Sequence, residues 1–253
     1  MYIIGSDYDG TIRIDGQVNE SSKKAINRFR EDGNMFGLVT GRSIESTRKE
    51  IKNNNFKFDF VVCNNGGVVF DGDLNLLKLD LIDYDTAMKI IDYIIKYDCD
   101  SYVLNDGLRR ANKVLKSDYI DMHGSGNGSV SVEEIIKSKK IASIVIGFNE
   151  QKKANELGTI LKKSFGDNVE VFVNVNCVDI VPKGSDKAKG FNFIIDMFKA
   201  DKANAYGIGD SYNDIPLIEN FNGACLKHSP EDIKKISKFC VGSIEEFIDI
   251  VTK

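Results

Sequence analysis

The chain has 253 residues, a formal net charge of −4 at pH 7 and a hydrophobic fraction of 42%. A chain of this length can bury a substantial core in one domain or two, and its ordinary apolar fraction argues against wholesale disorder. No long basic run marks a nucleic-acid interface, and no apolar stretch is long enough to span a membrane. We therefore expect neither nucleic acid nor a membrane as a partner.

The cysteines and the start of the chain predict a cytoplasmic protein. The cysteines are odd in number and widely spaced, no CxxC pair occurs, and the chain has only two histidines. A zinc site is therefore not expected, whereas buried free thiols in a reducing compartment are. The N-terminus enters a strand without the charged and apolar regions of a signal peptide. The cysteines are Cys63, Cys99, Cys177, Cys225 and Cys240.

The first 82 residues alternate strand-like and helix-like segments. Short β-branched and aromatic runs predict strands, and apolar residues at helical spacing predict helices. Such alternation is typical of a mostly parallel sheet covered by helices. The predicted strands are 2–4, 36–39 and 60–63, the helices are 22–31 and 43–52, and the hairpin turns are Asp15-Gly16 and Asp71-Gly72.

The pattern changes from about residue 83 to residue 182. A long region of weak periodicity includes the glycine-rich stretch 123–129, which begins at His123 and has the composition of a surface loop. Helices and strands mix in this middle section, so we predict a second, smaller α+β domain inserted into the first. The predicted helices are 86–97 and 151–165, and the strands are 101–104, 141–148, 169–173 and 177–181.

The initial pattern resumes after Pro182, with a helix at 187–198 and a strand at 205–209. Ser229 and Pro230 predict the N-cap and first residue of a further helix, and Ser243 with Glu246 predicts a capping box for the last helix. We therefore predict an α/β fold. A Rossmann-like parallel-sheet core, residues 1–82 and 183–253, carries an inserted smaller α+β domain, residues 83–182.

Polar residues follow four of the predicted strands. The carboxyl ends of parallel strands open onto one edge of a sheet, so these residues can meet in a single crevice. Solvated turns have no need to share that edge, and the convergence therefore predicts a functional site. The four groups are Asp7 with Asp9, Thr40-Gly41-Arg42, Asn64-Asn65, and Asp210 with Asn213 and Asp214.

The acidic residues of these groups predict a magnesium site. Asp210 and Asp214 are four residues apart, and oxygen-only ligands of this kind suit Mg²⁺. Taken alone, this pair is better explained by an acidic helix N-terminus that complements the helix dipole. Beside Asp7 and Asp9 the metal interpretation is favoured, because clustered carboxylates need a cation.

Two further segments predict anion binding. Thr40 leads from a strand into a helix, where a hydroxyl and free N–H groups can hold an anion, although a plain N-cap also explains it. Lys187 begins the helix after the inserted domain, where the helix dipole disfavours a positive charge. We therefore expect an anion to bind beside it. Lys183 and Lys189 are rivals for the same role, and the residue pattern does not choose among them.

These motifs resemble those of a known family. The segments Asp7-Tyr8-Asp9-Gly10-Thr11, Thr40-Gly41-Arg42, Lys187 and 209–214 are similar to the four ordered motifs of the haloacid dehalogenase (HAD) superfamily of phosphatases. The insertion resembles the type IIB cap of the Cof-like subfamily, and Asn64-Asn65-Gly66 resembles a substrate-side loop of that subfamily. Ala188 stands where the family usually has Gly, and this departure bears on the choice between Lys187 and Lys183.

The resemblance implies a role for each matching residue. Asp7 is the expected nucleophile and Asp9 the expected acid and base, with Mg²⁺ held by Asp7, Asp210, Asp214 and the Asp9 carbonyl oxygen. Thr40 and Lys187 are expected to stabilise charge on the transferring oxygens. The phosphate or substrate contacts implied by the resemblance are Thr40, Gly41, Arg42, Asn65, Lys187 and Asn213.

The implied activity is Mg²⁺-dependent hydrolysis of a small phosphorylated metabolite, with a sugar phosphate as one candidate, through an aspartyl-phosphate intermediate. Two alternatives remain open at this point. One is a phosphomutase acting on sugar phosphates, and the other is a non-enzymatic switch that is phosphorylated at Asp7. The expected assembly is a monomer or a weak homo-oligomer. The sequence does not identify the substrate.

Overall fold

The computed structural model describes residues 1–120 and 128–253. His123 and most of the predicted glycine-rich loop therefore lie outside the described residues. The strands are β1 Ile3–Ser6, β2 Arg13–Ile14, β3 Gln17–Val18, β4 Met35–Val39, β5 Phe60–Cys63, β6 Val68–Asp71, β7 Leu76–Leu79, β8 Ser101–Asn105, β9 Arg110–Val114, β10 Ser143–Gly147, β11 Val169–Asn174, β12 Cys177–Pro182, β13 Ala205–Gly209, β14 Asn222–Leu226 and β15 Phe239–Val241. The α-helices are α1 Glu20–Glu31, α2 Ile44–Asn54, α3 Tyr84–Lys96, α4 Val132–Ser138, α5 Gln151–Phe165, α6 Lys187–Phe198, α7 Ile215–Asn220, α8 Glu231–Ile236 and α9 Ile244–Val251.

The chain divides into two compact units. The first comprises residues 1–40, 50–78 and 186–253, and the second comprises residues 41–49 and 79–185. This grouping differs from the predicted division at 82/83 and 182/183. Residues 41–49 join the second unit, where Glu45 accepts hydrogen bonds from the Arg110 amide at 3.1 Å and the Ser129 hydroxyl at 2.6 Å.

The first unit is built on an eight-stranded sheet with the order β15-β14-β13-β1-β4-β5-β6-β7. The central strand β1 lies parallel between β13 and β4, with Ile3 opposite both Ala205 and Met35. The strands from β15 to β5 are parallel, whereas β6 returns antiparallel to β5. The predicted parallel core is confirmed, and its carboxyl ends open onto one edge.

The core of the first unit is aromatic on the side where α6 packs. The Phe191 ring stacks on Phe60 with centroids 5.6 Å apart and meets Phe221 edge-on at 4.7 Å. It also faces Gly5 of β1, where an added Cβ would lie 3.2 Å from the ring. Helix α6 is therefore fixed against the sheet by a fully buried side chain four residues after Lys187.

The second unit contains a separate five-stranded sheet with the order β11-β12-β10-β8-β9. Its neighbouring strands are all antiparallel. One hydrophobic core joins this sheet to α3, α4 and α5, with Ile90, Ile135 and Leu157 each fully buried. The predicted α+β character of the inserted segment is confirmed.

Several elements were absent from the sequence-based prediction. Strand β9 reads Arg-Ala-Asn-Lys-Val, which lacks a regular apolar alternation, and α4 is only seven residues long. The helix predicted at Ser229 begins later than expected. Pro230 is extended, with φ −53° and ψ 147°, so α8 starts at Glu231 and the Ser229 N-cap prediction is wrong. At α9 one half of the predicted capping box is present, because the Ser243 hydroxyl accepts a hydrogen bond from the Glu246 amide. The Glu246 carboxylate accepts from the Gly242 amide instead of the Ser243 amide.

Within residues 1–120 and 128–253, no helix combines the length and the apolar character that a membrane span requires.

Replacing Phe191 by Ala is expected to lower the free energy of unfolding by about 3–5 kcal/mol, because it removes a fully buried ring from a packed aromatic cluster. Phe198 lies on the same helix but is 40% exposed, so Phe198→Ala is the matched control and is expected to cost much less. Urea unfolding of both variants measures the difference. Equal losses would contradict this account of how α6 is held.

Candidate active site

The loop after β1 is a tight turn that carries the two acidic residues of the first motif. The Asp7 amide donates to the Ile208 carbonyl at 2.9 Å and so extends the pairing with β13. The amides of Ile12 and Arg13 then donate to the Tyr8 carbonyl at 3.0 and 2.8 Å, which closes the turn.

Gly10 permits the closest approach in this loop. Its φ is +84°, and a Cβ added there would lie 2.3 Å from an Asp210 carboxylate oxygen. The adjacent Thr11 hydroxyl donates to the other Asp210 oxygen at 2.9 Å. The first and last motifs therefore meet at this point, and the contact explains why the position following Asp9 carries no side chain.

A buried ion-pair network joins the first, third and fourth motifs. Lys187 Nζ donates to Asp7 Oδ1 at 2.6 Å and to Asp214 Oδ1 at 2.5 Å. The side chains of Lys187 and Asp214 are fully buried, and that of Asp7 is 7% exposed. The rival Lys183 lies in the second unit, where it contacts Glu170 at 3.1 Å and is half exposed.

The fourth motif forms a short 3-10 turn, Tyr212–Asp214, which leads into α7. Asp214 Oδ2 accepts from the amides of Asp210 and Ser211 at 3.0 and 2.9 Å. Its carboxylate packs against Gly209, where an added Cβ would lie only 2.2 Å away. One oxygen of Asp214 therefore fixes the loop while the other accepts from Lys187.

Three carboxylates meet in this buried site. Asp7, Asp210 and Asp214 each offer one oxygen, and these oxygens all lie within 4.8 Å of one another. Burial raises the pKa of Asp7 well above its ordinary value, against the opposing effect of Lys187. Burial and the charge of Asp214 raise the pKa of Asp210 to about 6. A site with more carboxylates than ammonium groups fits a divalent cation, which would relieve their repulsion.

The ends of β4 and β5 contribute Thr40 and Asn65. Thr40 is 2% exposed, and its carbonyl accepts from the Asn65 amide at 3.1 Å. Asn65 has a left-handed backbone with φ +48°, and its side-chain oxygen accepts from Asn213 Nδ2 at 3.1 Å. Gly66 then passes so close to α6 that an added Cβ would lie 1.9 Å from the Asp186 carbonyl.

Asp9 differs from the other acidic residues. Its side chain is 37% exposed and forms an ion pair with Arg13 of the β2–β3 hairpin at 3.3 Å. Among the described residues, the carboxylate group that could hold a metal consists of Asp7, Asp210 and Asp214, without the Asp9 side chain. The structure thus separates two residues that the sequence placed as a pair.

Gly41 and Arg42 belong to the second unit, although they directly follow Thr40 in the chain. Arg42 Nη1 donates to the Ser46 hydroxyl at 3.1 Å, one turn along α2. In the same unit the Arg110 side chain is 4% exposed, and its Nε lies 3.8 Å from Glu45. Sequence reasoning did not identify Arg110, because nothing in its flanking residues distinguishes it from a surface arginine.

The sequence also did not reveal the hydrogen bonds that Tyr8 of the first motif makes with α2. Tyr8 is 1% exposed, and its hydroxyl donates to Glu50 Oε2 at 2.8 Å. Asn54 Nδ2 donates to the same hydroxyl at 3.3 Å. These residues connect the loop between Asp7 and Asp9 to the last turns of α2. An aromatic residue between two aspartates was the available signal, but its partner lies 42 residues away.

The chain matches the model of the haloacid dehalogenase-like hydrolase family over residues 4–249 and belongs to that family. It is 20% identical to the 5-amino-6-(5-phospho-D-ribitylamino)uracil phosphatase YwtE of Bacillus subtilis, over 97% of this chain and 94% of the relative. The family assignment and the Cof-like resemblance are thereby confirmed. The chain is a phosphatase of the HAD class, as the motifs predicted.

Solved structures show the same fold. The subclass IIB sugar phosphatase BT4131 matches with a TM-score of 0.82 and 18% identity, over 100% of this chain and 98% of that one. A haloacid dehalogenase-like hydrolase from Bacteroides thetaiotaomicron matches with a TM-score of 0.83 and 17% identity, over 99% of each chain.

Tyr8→Phe is expected to lower the free energy of unfolding by about 1–2 kcal/mol, because it removes a buried hydrogen bond to a carboxylate. Glu50→Gln keeps an acceptor oxygen for the tyrosine and is expected to cost less. Guanidinium unfolding of the two variants measures this difference. If the hydrogen bond from Tyr8 to Glu50 had no structural role, Tyr8→Phe would be as stable as the parent chain.

Proposed function

We propose that this chain is a Mg²⁺-dependent phosphatase that hydrolyses a small phosphorylated metabolite through a covalent aspartyl-phosphate at Asp7. The observation that carries the proposal is the buried Asp7 carboxylate, which bonds Lys187 at 2.6 Å and lies with Asp210 and Asp214 at the carboxyl end of β1. A nucleophilic carboxylate needs this positioning, because it must approach an anionic substrate.

Mg²⁺ suits this donor set. Asp7, Asp210 and Asp214 are the residues that would hold it, and the Asp9 carbonyl oxygen is the proposed fourth ligand. The bound cation would offset the negative charge of the phosphate and polarise its oxygens. The pKa values of Asp7 and Asp210 are raised first by burial and further by the neighbouring carboxylates, and a bound cation would relieve both effects.

The two aspartates of the first motif take different roles in the proposed reaction. An Asp7 oxygen attacks phosphorus, the bond from phosphorus to the leaving oxygen breaks, and Asp9 gives that oxygen its proton. Asp9 then takes a proton from water, and that water attacks the phosphorus of the aspartyl-phosphate. The bond between phosphorus and the Asp7 oxygen breaks, which frees the Asp7 carboxylate and releases inorganic phosphate. The greater exposure of Asp9, at 37%, supports its role in exchanging protons with substrate and water.

Phosphate binding is proposed for the residues at the strand ends. Thr40 and Lys187 would stabilise charge on the transferring oxygens. The burial of Lys187 against Asp7 favours it over Lys183, which is half exposed and paired with Glu170. Further phosphate or substrate contacts are proposed for Gly41, Arg42, Asn65 and Asn213.

A sugar phosphate is the proposed substrate class. Its support is the fold shared with the sugar phosphatase BT4131, and the smaller unit formed by β8–β12 is the proposed source of selectivity. The family assignment as a hydrolase sets aside the non-enzymatic switch. The phosphomutase alternative stays a prediction, which transfer of labelled phosphate within a sugar bisphosphate would reveal.

Asp7→Asn is expected to lower kcat for phosphate release from p-nitrophenyl phosphate with Mg²⁺ by a factor on the order of 10⁴ or more, because it removes the nucleophile. Asp232→Asn is the matched control. Asp232 is 74% exposed and contacts only Lys235 within the ion pairs of the described residues. Equal rates for Asp7→Asn and the control would refute the proposal.

Mg²⁺ is expected to raise the melting temperature more at about pH 7.5 than at about pH 5. A carboxylate whose folded pKa is raised binds more protons in the folded state, so the metal-free protein loses stability as pH rises through about 6. The cation replaces the proton that Asp210 holds at low pH. Thermal unfolding with Mg²⁺ or EDTA measures the shift.

Asp210→Asn serves as the comparison for this pH effect. This substitution is expected to reduce the increase in melting temperature that Mg²⁺ causes at the higher pH, because one ligand loses its charge. An increase of the same size at both pH values in the parent chain would contradict the assignment of the cation to these carboxylates.

A further inference from the structure

Two cysteines lie opposite each other on the last two strands at one edge of the eight-stranded sheet. Strands β14 and β15 are parallel, and their register places Cys225 directly across from Cys240. Neighbouring strands are separated by about 4.7–4.9 Å, and opposed residues project to the same face. This separation falls within the Cα spacing of about 4.4–6.8 Å that disulfides span. The backbone of the reduced protein therefore already has the spacing of a disulfide.

The two thiols differ in access to solvent. Cys225 is fully buried and packs with Ile218 and Ile233 beneath α7 and α8. Cys240 is exposed, because β15 is the last strand of the sheet and is only three residues long. A small oxidant can thus reach Cys240 directly, whereas Cys225 is shielded from solvent.

Lys234 interacts electrostatically with both thiols. The Glu231 carboxylate, 2.8 Å from Lys234 of α8, is the main cause that raises the pKa of Lys234, and Cys240 and Cys225 add smaller contributions. Burial raises the pKa of the Cys225 thiol, the Ser237 hydroxyl opposes that effect, and the Cys240 thiol adds to it. The buried Cys225 thiol is therefore protonated when Cys240 is oxidised, and it is the thiol that reacts second.

We propose that Cys225 and Cys240 form a reversible redox site, in which peroxide oxidises Cys240 and Cys225 then closes an intrachain disulfide. The proposal does not depend on the proposed phosphatase substrate or metal. It also revises the expectation that every cysteine of the chain is a free structural thiol.

The chemistry requires a hydroperoxide as the oxidant. The Cys240 thiolate attacks one peroxide oxygen, the O–O bond breaks, hydroxide leaves, and Cys240 becomes a sulfenic acid. The Cys225 sulfur then attacks the Cys240 sulfur, the S–O bond breaks, and water leaves with the Cys225 proton. Two thiols are oxidised, one peroxide is reduced to water, and a dithiol reductant reverses the change.

The remaining cysteines provide internal controls. Cys63, Cys99 and Cys177 are all buried. Burial raises the pKa of the Cys99 thiol to about 11, which disfavours its thiolate. These thiols are expected to stay reduced under conditions that oxidise Cys240.

The experiment treats the full chain with a small excess of hydrogen peroxide under native conditions and follows its mass. The expected product has lost about 2 Da, the two thiol hydrogens, and regains them with dithiothreitol. Trypsin cleaves after Lys202, Lys227 and Lys238, so the disulfide is expected to join the peptides 203–227 and 239–253.

Matched variants separate the proposed pair from other thiols. Cys99→Ser is expected to form the disulfide as the parent chain does, whereas Cys240→Ser is not. Cys225→Ser is expected to stop at an oxygenated Cys240, since the second thiol is missing. Circular dichroism before oxidation checks that each variant is folded, and Cys225→Ala replaces Cys225→Ser if the buried hydroxyl unfolds the chain.

Three results would overturn the proposal. Cys240 of the folded parent chain could be oxidised to sulfinic acid without a mass loss, both thiols could remain reduced, or the disulfide could join two chains. Each outcome would mean that the opposed cysteines do not react with each other, despite their register.

Discussion

The buried ammonium group of Lys187 is the interaction on which the site depends. It bonds Asp7 and Asp214, which are 180 and 27 residues away in the sequence, and it is completely removed from solvent. A buried charge without partners is strongly destabilising, so these residues must come together for the chain to fold. The same contact places the proposed nucleophile, the lysine proposed to bind phosphate and a proposed metal ligand at one point. Folding and the proposed catalysis therefore depend on the same ion pairs.

The single positive charge of Lys187 does not balance the three carboxylates of the site. Asp214 is occupied on both sides, by Lys187 and by the amides of the loop that it caps, while Asp210 contacts the Thr11 hydroxyl. The close approach of Gly10 to Asp210 holds these carboxylates together despite their repulsion. The elevated pKa values of Asp7 and Asp210 follow from burial and from this crowding. A divalent cation is the simplest source of the missing positive charge.

Much of this arrangement was predictable from the sequence, because strands that end in Asp, Thr or Asn are visible as apolar runs followed by polar residues. Parallel pairing then brings those ends to one edge, as β1, β4, β5 and β13 show. The contact of Tyr8 with Glu50 was not predictable, since it depends on where α2 packs. The irregular strand β9 and the start of α8 were missed for local reasons: one lacks alternation, and Pro230 stays extended. The ion pair of Asp9 with Arg13 depends on how the β2–β3 hairpin folds back, which spacing alone does not reveal.

In the proposed reaction Asp7 itself carries the phosphoryl group during turnover. The most direct measurement is to quench the reaction in acid within the first turnover, reduce with borohydride, and examine the peptides by mass spectrometry. An acyl phosphate at Asp7 is converted to homoserine by this treatment, so homoserine is expected at position 7 in samples that received substrate and Mg²⁺. Steady phosphate release with an unmodified Asp7, or homoserine at another aspartate, would contradict it.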